Sequence, residues 1–227
     1  MTATWWKSSA SWEAAEVVPD RKTFLAALVS RHGADRQAKF AAARVAVCGL
    51  GGLGSNVAIA LARAGVGHLH LIDFDRVEPS NLNRQQYFAA QVGLPKAEAM
   101  RENVAAINPF CDVVAETMRV SPDNIAGLLK GDDIVCEAFD RADQKAMLVS
   151  GVMEAFPSKP VVAASGMSGL ASANEISTVR AARRLYVCGD RTTDAASGIG
   201  LYGARVLVCA AHQATMVLRL IDGAEEP

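Results

Sequence analysis

Short apolar runs alternate with longer amphipathic segments along most of this chain. The short runs, of which 44–48 is rich in β-branched residues, predict strands at 44–48, 68–72, 111–118, 133–137 and 160–164. The segments before and between them predict helices at 20–32, 34–42, 53–64, 95–107, 122–130 and 141–155. Strands that alternate with helices in this way are typical of a mostly parallel sheet covered by helices on both faces. The pattern therefore predicts an α/β fold.

The C-terminal part departs from that alternation. Two short strands at 175–180 and 184–187 lie close together in the sequence, which predicts a short antiparallel extension. The segment between Cys188 and Gly203 is rich in Gly, Asp, Thr and Ser and predicts a mobile loop. The final helix at 204–221 is apolar but contains polar and charged side chains. We interpret it as a core or interface helix, because a bilayer span needs about 20 apolar residues.

A glycine-rich turn follows the first predicted strand. Gly49, Gly51 and Gly54 have the G-x-G-x-x-G spacing, and Gly52 lies between them. In this pattern the first glycine allows a tight turn, the second lets the backbone approach a phosphate, and the third lets the helix lie close to the strand. The helix N-terminus then directs free N–H groups towards an anion. The strand–turn–helix context favours a nucleotide site in a Rossmann-like, twisted sheet over a plain turn.

An acidic residue and two cations narrow the choice of nucleotide. Asp73 ends the second predicted strand, where a ribose hydroxyl is normally held, and at this point NAD, FAD and ATP all fit. Arg84 and Lys96 follow in the next stretch. An enzyme that splits a triphosphate needs such fixed cations, because charge develops on the leaving pyrophosphate. These two residues therefore favour ATP, with catalytic roles for both.

A candidate metal ligand follows the strand predicted at 133–137. Asp140 lies just beyond the carboxyl end of that strand, and ligands of open α/β sheets bind at that edge. Mg²⁺ prefers oxygen ligands, usually one or two carboxylates with phosphates and water. We therefore predict that Asp140 holds Mg²⁺. The alternative is that Asp140 only caps the helix that starts near Arg141.

These motifs resemble the ThiF/MoeB family, the bacterial relatives of ubiquitin-activating enzymes. The resemblance covers about residues 25–223 and includes D-F-D-x-V-x-x-S-N-L-N-R-Q from Asp73 and G-x-P-K-x-E-A from Gly93. The chain is most similar to the short ThiF subtype of thiamine thiazole synthesis, which shares N-R-Q-Q-Y-F (83–88), E-A-F-D (137–140), A-S-G-M (164–167), C-G-D (188–190) and A-A-H-Q-A (210–214).

The resemblance implies an adenylyltransferase that uses ATP and Mg²⁺. In such enzymes the C-terminal glycine carboxylate of a ubiquitin-fold sulfur carrier, here a ThiS-like protein, attacks the α-phosphate of ATP. The products are the carrier acyl-adenylate and pyrophosphate. The resemblance also implies a homodimer. A MoaD-type carrier of molybdenum cofactor synthesis remains an alternative substrate.

The resemblance further implies roles for individual residues. Asp140 matches the metal-binding aspartate, Glu137 matches the acidic position before it, and Asn81 and Gln85 match positions at the phosphates. Arg141 departs from the asparagine that usually follows the aspartate. Asp75 is interpreted either as a second nucleotide contact or as a turn residue. Arg31 and Arg36 have two interpretations: contacts to the ATP of a partner subunit, or solvated side chains. His212 is interpreted either as a structural or as a catalytic residue.

The cysteines distinguish this chain from the longer family members, which hold a structural zinc with two Cys-x-x-Cys pairs. No Cys-x-x-Cys occurs here, so we expect no structural zinc. Cys48, Cys136 and Cys209 are predicted to be small core residues. Cys188 adjoins the predicted loop and has two interpretations: a nucleophile that forms a thioester or acyl-persulfide with the carrier, or a structural residue.

Composition agrees with one compact enzyme domain. The chain has 227 residues, a net charge of −1 and 51% apolar residues, which gives no indication of a nucleic-acid or membrane partner. Five cysteines without disulfide-like spacing fit a reducing, cytoplasmic compartment. We predict a single domain at 21–227 after an N-terminal extension at 1–20, for which the sequence leaves open disorder or packing on a partner subunit.

Two other classes of function fit these residues less well than adenylation. An NAD- or FAD-dependent oxidoreductase does not need cations such as Arg84 and Lys96 directed past the ribose of its cofactor. A non-catalytic scaffold that only binds the carrier would not need to keep this basic pair and Asp140 together.

Overall fold

The computed structural model describes residues 18–194 and 197–227. Most of the predicted N-terminal extension at 1–20 lies outside the described residues. Within them the first helix begins at Arg21, and the Asp20 carboxylate caps it by accepting a hydrogen bond from the Thr23 N–H at 2.7 Å.

The described residues form one seven-stranded sheet in the order β3-β2-β1-β4-β5-β7-β6. The strands are β1 (Arg44–Cys48), β2 (His68–Ile72), β3 (Asp112–Glu116), β4 (Ile134–Glu137), β5 (Val161–Ala164), β6 (Ser177–Ala182) and β7 (Leu185–Gly189). All neighbouring pairs are parallel except β6 and β7, which are antiparallel. The predicted Rossmann-like, mostly parallel fold is confirmed.

The predicted antiparallel pair is confirmed, and β7 joins it to the main sheet by pairing in parallel with β5. Ala164, the last residue of β5, lies opposite Cys188 in that register. The pair therefore continues the main sheet and brings the end of β7 to the same edge as the ends of β4 and β5.

Helices cover both faces of the sheet. They are α1 (Arg21–His32), α2 (Ala34–Ala42), α3 (Gly52–Ala64), α4 (Lys96–Ile107), α5 (Ile125–Leu128), α6 (Ala142–Ala155) and α7 (Gly203–Asp222), with 3-10 turns at Pro79–Asn81, Ala89–Gln91 and Ala173–Glu175. Side chains of α3, α4 and α7 form one core with alternate residues of β1 and β2, such as Val45 and Leu71. Side chains of α5 and α6 form the other core.

The last helix, α7, packs against α3 and the sheet. It is long and apolar enough to cross a membrane by length and composition alone. Its buried face includes Val206, Cys209, Gln213 and Val217. A core helix of an α/β domain can be equally long and apolar. The packing of α7 against α3 and the sheet therefore confirms the predicted packed helix.

Some predicted bounds were wrong. The helix predicted at 122–130 is a single turn, Ile125–Leu128. The Asn124 side chain accepts from the Ser121 N–H at 2.8 Å and donates to the Arg119 carbonyl at 2.9 Å. These local bonds stabilise a turn before the helix, as asparagine side chains commonly do.

Candidate nucleotide-binding site

The glycine turn lies between β1 and α3, and its glycines differ in how closely other atoms approach them. Gly49 has a φ of +90°, and an added Cβ would lie 2.8 Å from the Ala138 carbonyl oxygen. A Cβ on Gly54 would lie only 1.8 Å from the Gly49 carbonyl oxygen. A Cβ on Gly51, by contrast, has no neighbour closer than Gln85 Nε2 at 3.9 Å. The turn is therefore closed by Gly49 and Gly54 and open beside Gly51, where a phosphate could approach the backbone.

Asp73 ties this turn to the following loop. One carboxylate oxygen accepts the Leu50 N–H at 2.7 Å and the other accepts the Asp75 N–H at 2.7 Å. Burial raises the pKa of Asp73, while the nearby Lys96 charge and the two N–H groups oppose that rise. Asp73 thus lies at the predicted position and orients the backbone on both sides of it. Its contact with a ribose stays a prediction.

Lys96 is the first residue of α4 and is almost entirely buried. Its ammonium lies 3.0 Å from Asp75 Oδ2, and its side chain is 8% exposed against 50% for Asp75. Asp75 is therefore the ion-pair partner of Lys96, a role that neither sequence interpretation included. A buried lysine needs such a counter-charge, and the half-exposed Asp75 carboxylate supplies it.

Arg84 lies over the start of α3. A Cβ added to Gly52 would lie 3.4 Å from Arg84 Cγ, so the arginine stem covers the first turn of that helix. The guanidinium donates to the Ser80 carbonyl at 3.0 Å and to Asn83 Oδ1 at 2.8 Å. Within the described part of the chain it pairs with no carboxylate. Its charge is held in place by neutral groups beside the glycine turn.

Asn81 and Gln85 are both buried in this loop. Asn81 Oδ1 accepts the Glu78 N–H at 3.0 Å, which closes the turn before Arg84. Gln85 borders Gly51, and its Oε1 is buried with no hydrogen-bond partner among the described residues. The amide of Gln85 therefore lies beside the open face of the turn, where the resemblance predicts a phosphate contact.

Asp140 lies on the exposed loop between β4 and α6. The N-cap residue of α6 is Arg141, and no side chain makes a capping hydrogen bond there. The helix-cap alternative for Asp140 is therefore wrong. Arg141 itself forms a two-bond ion pair with Asp143 at 3.0 and 2.9 Å, which leaves the Asp140 carboxylate outside that pair.

Asp140 offers a single exposed carboxylate, so phosphates and water would have to supply the other ligands of a Mg²⁺ ion bound there. Among residues 18–194 and 197–227, no three His, Cys, Asp or Glu side chains are grouped closely enough to hold a metal ion by themselves. The Mg²⁺ role of Asp140 stays a prediction.

Glu137 and Lys145 form a pair that sequence reasoning missed. Glu137 is fully buried at the end of β4, and Lys145 Nζ lies 3.1 Å from both of its carboxylate oxygens. Glu137 Oε1 also accepts the Phe139 N–H at 2.7 Å. Burial raises the pKa of Glu137, and Lys145 opposes that rise. The pair fixes the turn that carries Ala138 against Gly49 and leads to Asp140.

Cys188 does not lie at a loop edge as predicted. It belongs to β7 and is fully buried, with its Sγ 3.4 Å from Thr178 Oγ1. Burial raises the pKa of the Cys188 thiol to about 11. A nucleophilic cysteine needs exposure and a substantial thiolate fraction near neutral pH. The structure therefore favours the structural interpretation of Cys188.

The remaining candidates lie away from the glycine turn. Arg36 forms an ion pair with Asp222 at 2.9 Å, which ties α2 to the end of α7. Arg31 is exposed on α1 and makes no ion pair within the described ranges. His212 Nδ1 lies 3.0 Å from Thr178 Oγ1 between α7 and β6, which fits the structural interpretation of this histidine.

Comparison with known proteins agrees with this geometry. The model of the ThiF family matches residues 25–227. Over 113 residues the chain is 44% identical to the tRNA threonylcarbamoyladenosine dehydratase of Escherichia coli (49% of this chain, 42% of that protein). Over 110 residues it is 42% identical to the molybdopterin-synthase adenylyltransferase of Salmonella typhimurium (48% and 44%). In both curated relatives the match spans less than half of the relative's length.

Solved structures extend the likeness to the whole fold. The E. coli tRNA N6-threonylcarbamoyladenosine dehydratase in complex with ATP superposes with a TM-score of 0.81 and 26% identity, over 91% of this chain and 97% of that one. E. coli MccB with ATP has a TM-score of 0.65 and 23% identity, over 86% and 61%, which shows a shared fold. On the family match and the architecture together, the chain belongs to the ThiF family.

Proposed function

We propose that this protein is an ATP-dependent adenylyltransferase that activates the C-terminal glycine carboxylate of a ubiquitin-fold sulfur carrier. The observation that carries the proposal is the arrangement around the open side of Gly51. Arg84 lies over the start of α3, and Gln85 borders Gly51. The loop that bears Asp140 packs against Gly49 through Ala138.

The chemistry needs alignment and charge stabilisation rather than a general base. A carrier carboxylate is already ionised at neutral pH and attacks the α-phosphate of ATP directly. Negative charge then develops on the departing pyrophosphate. Arg84 and Lys96 supply fixed positive charge to that group, and the N–H groups at the start of α3 bind the phosphates. Holding both reactants in line supplies much of the remaining rate enhancement.

Asp140 is the residue that would hold Mg²⁺ in this site. The ion, when bound, would neutralise phosphate charge. Glu137 is not available as a second ligand in this arrangement, because Lys145 Nζ contacts both of its oxygens. We therefore propose a single protein carboxylate as the metal ligand.

Sulfur carriers fit the family's named activities best. The Salmonella relative is a molybdopterin-synthase adenylyltransferase, and a further relative, 41% identical over 109 residues, is the probable adenylyltransferase/sulfurtransferase MoeZ of Mycobacterium tuberculosis (48% of this chain, 28% of that protein). The shared motifs of the short subtype favour a ThiS-like carrier and thiamine thiazole synthesis over a MoaD-type carrier. We further propose that the protein acts as a homodimer.

A tRNA substrate is the second candidate function. The dehydratase of E. coli is similar both over 113 residues of sequence and over 97% of the solved chain. Its substrate, threonylcarbamoyladenosine, also carries a carboxylate that ATP can activate. The net charge of −1 favours the carrier protein over tRNA as the substrate, because RNA binding usually relies on a basic surface.

Exchange of labelled pyrophosphate into ATP separates these candidates. We expect exchange with a ThiS-type carrier that ends in Gly-Gly, weaker exchange with a MoaD-type carrier, and none with tRNA that bears threonylcarbamoyladenosine. We also expect Asp140→Ala to abolish the exchange. The control Asp143→Ala, which loses only exposed contacts with Arg141 and Gln144, should keep it. Exchange with the tRNA alone would replace the proposal by the second candidate.

A further inference from the structure

We infer that the buried ion pair between Asp190 and Arg205 positions the carboxylate substrate, by holding two loops that form one wall of its approach to ATP. The inference rests on the proposed function, since it concerns the second substrate of that reaction. The two side chains come from different elements: Asp190 follows β7, and Arg205 belongs to the first turn of α7.

The pair is nearly inaccessible to solvent. Arg205 Nη2 lies 2.7 Å from Asp190 Oδ2, and the side chains are only 3% and 2% exposed. The second terminal nitrogen of Arg205 donates to the carbonyls of Ala171 and Ser172, and Glu175 lies 3.5 Å from Nη2. One guanidinium therefore joins the loop after β5 to the loop after β7.

Asp190 organises the loop after β7 from the inside. Its Oδ1 accepts the N–H groups of Thr192 and Thr193 at 2.9 and 2.8 Å. The Thr193 hydroxyl donates to Oδ2 at 2.7 Å and accepts the Ser168 N–H at 3.1 Å. Burial raises the pKa of Asp190, but these N–H donors and Arg205 outweigh burial and hold that pKa well below its usual range. The carboxylate is therefore charged at neutral pH.

The loop after β7 and the start of α7 lie against the segment that carries Arg84. The Asn83 side chain donates to the Leu201 carbonyl at 3.1 Å. A Cβ on Gly203 would lie 2.5 Å from the Asn83 carbonyl oxygen, so the start of α7 touches the residue before Arg84. The wall formed by residues 165–172, 190–193 and 197–202 is therefore continuous with the predicted triphosphate site.

The wall offers what an extended glycine-ended tail needs. The Gly169 N–H donates to the Gly200 carbonyl at 2.9 Å, which joins the two loops directly. Leu170 and Ile199 remain 73% and 45% exposed on them. These exposed apolar side chains offer contact area to the tail of the carrier, and a buried charge pair gives such irregular loops one defined arrangement.

The test compares Arg205→Lys and Asp190→Asn with the surface control Arg101→Ala, which loses only the exposed pair with Glu98. Three quantities are measured on each full-length variant: the Kd for Mg-ATP, the KM and kcat for a ThiS-type carrier in pyrophosphate exchange, and amide hydrogen exchange. We expect kcat/KM for the carrier to fall about 100-fold in both variants, as for a displaced reactant, with an unchanged Kd for ATP. Amide exchange should rise in 165–172 and 190–193 and stay unchanged in 49–56.

The remaining outcomes overturn the inference in different ways. Unchanged amide exchange in the two loops would show that the pair does not hold them, whatever the activity. An equal loss of ATP affinity and carrier activity would assign the pair to general stability. If wild-type enzyme shows no exchange with any carrier, the proposed function fails and the substrate role fails with it, and the amide exchange still reports whether the pair holds the loops.

Discussion

At the residue scale, the glycine turn shows how one residue type serves different purposes at neighbouring positions. Gly54 is required by packing, since its missing Cβ makes room for the Gly49 carbonyl. Gly51 has free space on the side where its Cβ would be. Its role in the proposed function is to leave the backbone open to a phosphate. The two positions therefore separate stability from nucleotide binding.

Substituting these glycines tests that separation. We expect Gly54→Ala to lower the free energy of unfolding by roughly 3 kcal/mol or more, because backbone must move. We expect Gly51→Ala to cost only about 1 kcal/mol, as for alanine at a helix N-cap. In Gly51→Ala we also expect the loss of one hydrogen bond to phosphate. Such a bond contributes about 1.5 to 3 kcal/mol, so ATP binding by this variant should weaken about 10- to 100-fold. Urea unfolding and calorimetric titration measure the two effects, and normal ATP affinity in Gly51→Ala would contradict the assigned role.

Arg84 is the residue whose charge the proposal uses most directly. Removal of one preorganised charge from a transition state typically costs about 100- to 1,000-fold in rate, so we expect that loss of pyrophosphate exchange in Arg84→Ala. Its stability should change little, because the guanidinium is bonded only to neutral groups on its own loop. Near-normal exchange in this variant would remove Arg84 from the mechanism.

The acid sensitivity of the fold depends partly on Asp190. Its pKa in the folded state lies below the ordinary value of 3.8, so the folded state binds fewer protons than the unfolded state. The resulting stabilisation is present above the unfolded pKa and is lost as pH falls through the folded pKa. We expect Asp190→Asn to lose less stability than wild type between about pH 5 and pH 2. Equal acid slopes in both proteins, with the exposed Asp123→Asn as control, would contradict this assignment.

At the element scale, the sequence predicted some segments well and others poorly for identifiable reasons. The strands β1 and β2 were predicted to the residue, because each is a short segment with apolar residues that ends at a glycine or an acidic residue, Gly49 and Asp73. The helix predicted at 122–130 begins later in the structure, because the Asn124 side chain accepts a hydrogen bond from the Ser121 N–H and stabilises a turn there. Cys188 was placed at a loop edge, whereas pairing of β7 with β5 extends the strand through Gly189 and buries the thiol. Periodicity does not report such long-range pairing.

The element that carries Asp140 depends on the Glu137–Lys145 pair. Breaking a buried pair leaves an uncompensated charge, so we expect Lys145→Met to lower the free energy of unfolding by roughly 3 kcal/mol. The double variant Glu137→Gln/Lys145→Met should recover much of that loss, because both partners are then neutral. Urea unfolding of the two single variants and the double variant gives the coupling. Purely additive losses would show that the pair does not act as a unit.

At the scale of the whole molecule, the fold gathers its polar groups at the carboxyl edge of one parallel sheet. Positions after strands predicted Asp73 and Asp140, the need for fixed cations predicted Arg84, and the family resemblance predicted Gln85. The structure places Arg84, Gln85 and the turn before Asp140 around one glycine turn. The ion pairs that hold the edge together were not predictable. Asp75 with Lys96, Glu137 with Lys145, and Asp190 with Arg205 each join segments whose proximity only the folded chain creates.

Transfer of AMP to a carrier protein tests the central claim most directly. Enzyme, Mg-ATP and a ThiS-type carrier ending in Gly-Gly are mixed with pyrophosphatase, and the carrier is analysed by intact-protein mass spectrometry. We expect a carrier species heavier by one AMP with wild-type enzyme, and none with Asp140→Ala or with a carrier that lacks its last glycine. An unmodified carrier in every reaction, with wild-type enzyme stabilised against heat by NAD and not by Mg-ATP, would contradict adenylation.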